Sequence, residues 1–337
     1  MSQRFYRAWA SAVLALQVGI ASDAFAQAAF SSSAAGTTTA NFLKLGVGAR
    51  GEALGEAYSA LADDASAIYW NPAALTQIPE KTASLTVMHA PYLNPTYFDF
   101  AGYAQNTGDA GVFGGGLQYF SGGSITQTDT TGTSIGTFNP YDLAASLAYA
   151  HTWNGFGLGL AGKFIRSQLL DAAQTGAVDI GILSPAYVQD RLRLAFVASN
   201  LGGRMTFDQE SFGLPLNLKM GSAYRLTPAW NAMLDLNFPI DNNPYAAMGS
   251  EYLWKIGGWT LAGRVGYNAR TSSDIDGITG VTAGFGLNFQ TTSIDYAMVP
   301  LGSLGMTQRI SISLKFQTGS AKSLLRKPEQ MPAEIKP

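Results

Sequence analysis

The stretch ISISLKF, residues 310–316, alternates without a break. Ile310, Ile312, Leu314 and Phe316 share one parity; Ser311, Ser313 and Lys315 share the other. A period of two marks a β-strand with one apolar and one polar face. The pattern recurs upstream. In 230–238, Ala232, Leu234, Leu236 and Phe238 oppose Asn231, Asp235 and Asn237; in 191–200, Leu192, Leu194 and Phe196 oppose Arg191, Arg193 and Ala195. In 156–168, Phe156, Leu158, Leu160 and Phe164 are set against Lys163 and Arg166. Fourteen segments read as strands in all: 82–89, 96–105, 110–120, 140–150, 156–168, 175–186, 191–200, 216–226, 230–238, 245–254, 259–268, 278–289, 292–299 and 307–316.

The connectors between them alternate. QNTGDAG, HTWNGFG, YVQDR, LTPAW, WKIGGW and NFQTT are turn-like, whereas SGGSITQTDTTGTSIGTFNP and LGGRMTFDQESFGLP are long. An even strand count, strands of about ten residues, tight turns at one rim and longer loops at the other together describe a transmembrane antiparallel β-barrel. Charge on one face then suits a wet lumen, and the apolar face suits lipid. Tyr119, Phe120, Tyr141, Trp153, Tyr187, Trp230, Trp254, Trp259, Tyr267 and Phe289 gather at segment ends. Aromatic residues favour the membrane–water boundary. A soluble β-sandwich would also alternate, so the choice between them rests on export.

The start of the chain supplies that. Arg4 and Arg7 precede an apolar run from Ala8 to about Ile20, and Ala24-Phe25-Ala26 is a small-x-small cleavage site. This reads as a signal peptide over 1–26. No later window is apolar for long enough to form a transmembrane helix. There are no cysteines, so disulfides, thiolate sites and lipid attachment through an N-terminal cysteine are excluded. A net charge of −2 with no basic stripe speaks against nucleic acid. Glycine is 38 of 337 residues, above the ~7% average, which fits a wall that bends often. An exported, cysteine-free, β-rich chain is expected in the bacterial outer membrane, with lipid as its first partner.

Residues 27–81 precede the strands. The first part, QAAFSSSAAGTTTA (27–40), is small, polar and expected to be flexible. Residues 53–61 carry helical spacing, with Leu54, Ala57, Tyr58 and Leu61 apolar. Asp63 or Asp64 can cap a second short helix over 65–69, since a carboxylate satisfies free N–H groups at a helix start. Asn71-Pro72 ends it, because the residue before proline is pushed out of helical geometry. Roughly eight strands enclose room only for side chains, and roughly sixteen leave an aqueous channel. A lumen of fourteen needs a plug, and 27–81 is the natural hatch.

The stretch LGVGARGEALGEAYSALADDASAIYWNPAAL (45–75), most specifically ADDASAIYWNPAAL with Trp70, Asn71, Pro72 and Ala73, resembles the N-terminal signature of the PorV/PorQ family of outer-membrane proteins. That family is similar to the FadL group of hydrophobic-compound transporters, and the Asn-Pro-Ala core is shared with FadL-like hatches. The resemblance implies a fourteen-stranded barrel over 82–316 with an N-terminal hatch. The tail beyond Phe316, QTGSAKSLLRKPEQMPAEIKP (317–337), departs from barrels that end on an aromatic residue. It is charged and contains proline, so it is expected to be disordered and periplasmic.

Other motifs weigh little. Gly46, Gly48 and Gly51 fit G-x-G-x-x-G, but no βαβ unit follows, so close packing in the hatch is the better account and no nucleotide cofactor is expected. Neighbouring Asp63 and Asp64 point apart on a helix and do not converge on a substrate; capping, or a bond to a lumen arginine such as Arg166, Arg191, Arg193 or Arg264, is expected instead. His89 and His151 fall at opposite rims, which excludes a histidine metal cluster and a shared catalytic site. The chain is not expected to be an enzyme. Phe138, Tyr141, Met205, Phe207, Phe212 and Leu214 lie in the longer loops. They are candidates for a docking or ligand-entry rim, or fold inward over the lumen.

Two functions remain open. The PorV resemblance implies a type IX secretion component that binds secreted proteins through a C-terminal signal domain and passes them to other secretion components. The FadL resemblance implies a transporter that takes a hydrophobic small molecule past a moving hatch. In both, the termini and short turns are expected in the periplasm and the long loops outside.

Overall fold

The computed structural model describes residues 29–92, 95–271 and 277–318. The expected signal peptide, and the expected tail from residue 319 on, lie outside the described residues. The chain forms β1 (Thr82–Pro91), β2 (Tyr97–Asn106), β3 (Val112–Ser121), β4 (Ile125–Thr128), β5 (Ser134–Phe138), β6 (Tyr141–Trp153), β7 (Phe156–Gln168), β8 (Ala172–Leu183) and β9 (Leu192–Gly202). It continues through β10 (Arg204–Phe207), β11 (Glu210–Gly213), β12 (Asn217–Thr227), β13 (Trp230–Pro239), β14 (Tyr245–Ile256), β15 (Trp259–Asn268), β16 (Val281–Phe289), β17 (Thr292–Pro300) and β18 (Met306–Gln317).

Fourteen of these close into one antiparallel barrel; β4–β5 and β10–β11 are separate hairpins within the two longest loops. The seam joins β1 to β18, from Ala83 opposite Phe316 to His89 opposite Ile310. Each wall strand overlaps its expected segment, with ends displaced by no more than three residues. The connectors after β6, β12, β14 and β16 are tight turns. In the first, Asn154 (φ +50°) and Gly155 (φ +83°) are both left-handed, the conformation that matches strand twist in a two-residue hairpin. The alternation of connector length has exceptions: 169–171, at the long-loop rim, is short, and 184–191, at the other, is longer.

Side-chain parity behaves as a membrane wall requires. Leu147, Leu160, Phe164, Val265, Phe285 and Ile310 are exposed on the outer face, whereas Lys163, Asp179, Asp235, Glu251, Arg264 and Asp295 are buried toward the lumen. Trp153, Trp230, Trp254 and Trp259 stand exposed near the short-turn rim, with Trp259 stacked on Phe289 at 4.2 Å. Arg166 is a correction. It shares parity with Phe164 and lies on the outer face beside Leu143 and Gln174, close to Gln168 Oε1 (3.4 Å). Near a strand end a long side chain can carry its charge to the boundary. Phe120 also departs from the aromatic-belt expectation, since it packs against the interior core.

The segment before β1 fills the lumen. It contains α1 (Ala49–Ala53), α2 (Ala67–Trp70) and a 3-10 turn over Pro72–Gln77. The helix expected over 53–61 does not form. Gly55 (φ +66°) and Glu56 (φ +69°) are left-handed, and a Cβ on Gly55 would lie 2.6 Å from the Tyr267 backbone nitrogen, so contact with the wall turns the chain there. Residues 29–40, expected to be flexible, are pinned instead. Phe30 N–H donates to the Ile240 carbonyl (2.9 Å) and Thr39 N–H to the Gly213 carbonyl (3.0 Å). Both acceptors lie at the long-loop rim. The first described residues and Gln317 are therefore at opposite mouths, not the same one.

Candidate functional site

The Asn-Pro-Ala motif is seated in a notch of the wall. Asn71 is fully buried; its Nδ2 donates to the Ser59 carbonyl (2.9 Å) and its Oδ1 accepts the Ala73 N–H (3.0 Å). Pro72 follows at the start of the 3-10 turn, where a missing N–H costs nothing. The wall opposite is a cross-strand pair of glycines, Gly159 on β7 and Gly181 on β8. A Cβ on Gly159 would sit 2.2 Å from Ala73 N, and one on Gly181 2.1 Å from Asn71 Oδ1. A second pair, Gly249 on β14 and Gly266 on β15, receives the hatch turn at Leu54-Gly55 in the same way. Between the two notches Trp70 is buried, its Nε1 donating to the Val47 carbonyl (2.8 Å). Gly46 and Gly51 pack so closely on the Trp70 ring that a Cβ on either would lie 2.8 Å from it. Close packing accounts for the first and third glycines of the G-x-G-x-x-G spacing, and Gly48 between them takes a left-handed φ of +78°.

Ion pairs clamp the hatch around its circumference. Arg50 holds Glu251 with two bonds, Nε to Oε2 (2.9 Å) and Nη2 to Oε1 (3.0 Å). Glu251 also accepts from Arg264 (2.7 Å), which reaches Asp295 (2.7 Å). Glu52 pairs with Arg309, Glu56 with Arg270 (2.7 Å), and Lys44 with Asp241. The backbone N–H groups of Tyr58 and Ser59 donate to Asp235 Oδ2 (3.3 and 3.1 Å). Removing one partner of such a buried pair costs roughly 3–5 kcal/mol, because a desolvated charge is left behind.

Asp63 and Asp64 take separate roles. Asp63 meets Arg50 (2.9 Å) within the hatch and Lys315 (3.2 Å) on β18, not one of the expected arginines. Burial alone would raise its carboxyl, but Arg50 and Lys315 more than offset that and hold it below the ordinary range. Asp64 Oδ1 accepts the Ser66 N–H (2.9 Å) at the start of α2. Burial and the neighbouring Asp63 push its carboxyl up. Of the arginines named from sequence, Arg264 joins the Glu251 cluster and Arg193 donates to Gln77 of the hatch (2.6 Å).

The loop residues divide. Met205 and Leu214 are buried in the interior core, and Phe207 is partly buried against it. Phe138 and Phe212 lie in β5 and β11 and are partly exposed. Phe207 and Tyr141 line an apolar cavity of about 510 Å³ at the long-loop rim, with Phe42, Leu45, Tyr92 and Phe120. A second cavity of about 180 Å³, with a mixed polar and apolar lining, lies between hatch and wall. His89 pairs with Asp99 (2.6 Å) on the outer face, far along β1, and His151 is exposed near the opposite end of β6. Among the described residues no group of His, Asp and Glu is placed to hold a metal ion.

Sequence reasoning missed the clamp residues Arg50, Glu52, Glu56, Glu251 and Arg309. A signal existed: lumen-parity charges on strands β14 and β18 face a hatch segment carrying charges of the opposite sign. The notch glycines had a signal too, as small residues at lumen parity.

No curated protein matches the sequence. Solved structures are similar in fold. The toluene transporter TodX of Pseudomonas putida matches at 14% identity and a TM-score of 0.55, over 81% of this chain and 98% of that one. A Pseudomonas aeruginosa FadL homologue matches at 13% identity and a TM-score of 0.51, over 81% and 98%. The model of the family described as type IX secretion system protein PorV matches residues 27–233, more than half of the chain. This outer-membrane β-barrel with its seated hatch belongs to the PorV family.

Proposed function

We propose that the protein binds secreted proteins at its long-loop rim and hands them to other components of a type IX secretion system. The observation that carries this reading is the braced hatch. Two glycine notches and a ring of buried ion pairs hold the plug against the wall, so the lumen offers no ready passage. An apolar recess opens instead at the rim, lined by Tyr141 and Phe207. An apolar recess beside long loops suits capture of a protein segment. In this reading the long loops face outward and the short turns face the periplasm.

The same recess favours a second reading. A volume of about 510 Å³ bounded by aromatic rings is also within the range of small-molecule sites. The TodX likeness extends to fold, and its toluene is a hydrophobic cargo of the kind such a recess would hold.

One experiment separates them. Tagged protein is purified from detergent-solubilised outer membranes as wild type and as the pair Tyr141→Ser, Phe207→Ser. Secreted proteins sharing a C-terminal domain should accompany the wild type and be lost from the variant. A co-purifying apolar small molecule with no such proteins would overturn the shuttle reading in favour of transport.

A further inference from the structure

The cavity between hatch and wall is more polar than its neighbour at the rim. Its lining includes Asn217, Lys219, Asn237 and Asn242, with the aromatic rings of Trp70 and Tyr245. Its volume, about 180 Å³, equals roughly six waters.

Four cations reach its surface, and their partners differ. Lys163 lies 2.6 Å from Asp179, Arg270 lies 2.7 Å from Glu56, and Lys44 pairs closely with Asp241. Lys219 has no comparable bond. Its Nζ is 3.8 Å from Asp235 Oδ2, beyond hydrogen-bond distance, and that oxygen already accepts the N–H groups of Tyr58 and Ser59. The other contact of Lys219 is with the Trp70 ring, 5.1 Å from its centroid. The residue is only 7% exposed. Beside it, Asn217 Oδ1 is buried without a hydrogen-bond partner, as is Asp241 Oδ1 elsewhere on the lining; the carboxylates there, Glu56 and Asp241, are each ion-paired, to Arg270 and Lys44. An ammonium has three donors, and neither the ion pair at 3.8 Å nor the ring contact uses one in a hydrogen bond, so donors face the cavity.

We propose that this cavity binds a small hydrophilic carboxylate. The anionic end bonds Lys219 and the hydroxyls bond the carboxamides of Asn217, Asn237 and Asn242. A charged acceptor makes the stronger bond to an ammonium. Asn217 Nδ2 already donates to Asn237 Oδ1, and Asn242 Oδ1 accepts the Asn243 N–H; the open acceptor Asn217 Oδ1 then selects a hydroxyl over an acyl chain, which would leave it unpaired. The site is separate from the rim recess and does not depend on whether secreted protein or a hydrocarbon binds there.

Glycerate and glycerol make a matched pair of probes, because they differ by the carboxylate alone. Calorimetric titration of the full chain in detergent should show glycerate binding at least about tenfold more tightly than glycerol, the usual worth of a hydrogen bond between charged groups. The double variant Lys219→Met, Asp235→Asn removes both charges together, so no lone buried carboxylate is left. Its glycerate affinity should fall to that of glycerol, with barrel folding checked by heat-modifiable gel mobility. Equal affinity for the two probes, no glycerate binding by the wild type, or unchanged glycerate affinity in a folded double variant would each overturn the proposal. The comparison of probes on wild type decides the matter even where the variant does not fold.

Discussion

Replacing Gly159 with alanine adds a single methyl group at the point where wall and hatch are closest. That methyl carbon would lie 2.2 Å from Ala73 N, 2.3 Å from the Pro72 carbonyl carbon and 2.6 Å from Ala73 Cα. All three are backbone atoms, so no side chain can swing away. Ordinary contact begins near 3.4 Å, and the turn must retreat by about 1.2 Å to restore it. Overpacking of this kind costs about 1–3 kcal/mol, which is roughly a five- to 150-fold shift away from the seated hatch. The retreat also pulls on the Asn71 bonds to Ser59 and Ala73, worth about 1 kcal/mol each. Gly162→Ala is the control. It lies on the same strand and the outer face, and an added Cβ there meets nothing within 4 Å. Purified variants would be compared by conductance in planar bilayers and by protease cleavage of the hatch, with heat-modifiable mobility confirming an intact wall. Gly159→Ala should leak and be cleaved faster, and Gly162→Ala should match wild type. Equal, wild-type behaviour of the two would refute the view that the notch seats the hatch.

Two more expectations follow from the same contacts. Asn71→Ala strips two buried hydrogen bonds and leaves the Ser59 carbonyl unpaired, so hatch unfolding should become easier by about 1–3 kcal/mol, read by hydrogen exchange over residues 59–75 with the wall unchanged. The depressed Asp63 carboxyl stabilises the seated hatch above the ordinary carboxylate value near 4, and that contribution is lost as pH falls through its lower native value. Wild type should therefore loosen on acidification below about pH 4, and Asp63→Asn, which lacks the titrating group, should show a flatter acid response.

The wall was legible because it has two solvents. Lipid outside and a wet lumen inside force period-two alternation on each strand, and Ile310–Phe316 shows it as clearly in sequence as in register with β1. Arg166 was misread because its charge suggested the lumen when its parity did not. The hairpins β4–β5 and β10–β11 were read as loop. The first is polar and exposed on most of its surface, so no alternation marks it. In the hatch, α2 and its stop at Asn71-Pro72 followed from local chemistry, whereas the turn at Leu54–Glu56 did not. What breaks the helix there is Tyr267 and its neighbours on strands more than 190 residues away. Met205 and Leu214 illustrate the same limit. A loop hydrophobe reads alike whether it waits for a partner or rests on its own core. The path of 29–40 was invisible because its anchors, the Ile240 and Gly213 carbonyls and the Asp241 and Asn243 side chains, are about 170–210 residues away in sequence and the local chain carries no sign of them.

The opposite placement of residue 30 and Gln317 carries a topological consequence. The plug bridges the two mouths, and the seam between β1 and β18 closes the tube around it. It resembles a cord threaded through a ring more than a door on a hinge. Withdrawal toward the short turns would drag 29–40 through the full length of the barrel, and withdrawal toward the long loops would pull β1 out of the seam. Short of either, movement of the hatch is a local shift of slack within a fixed path.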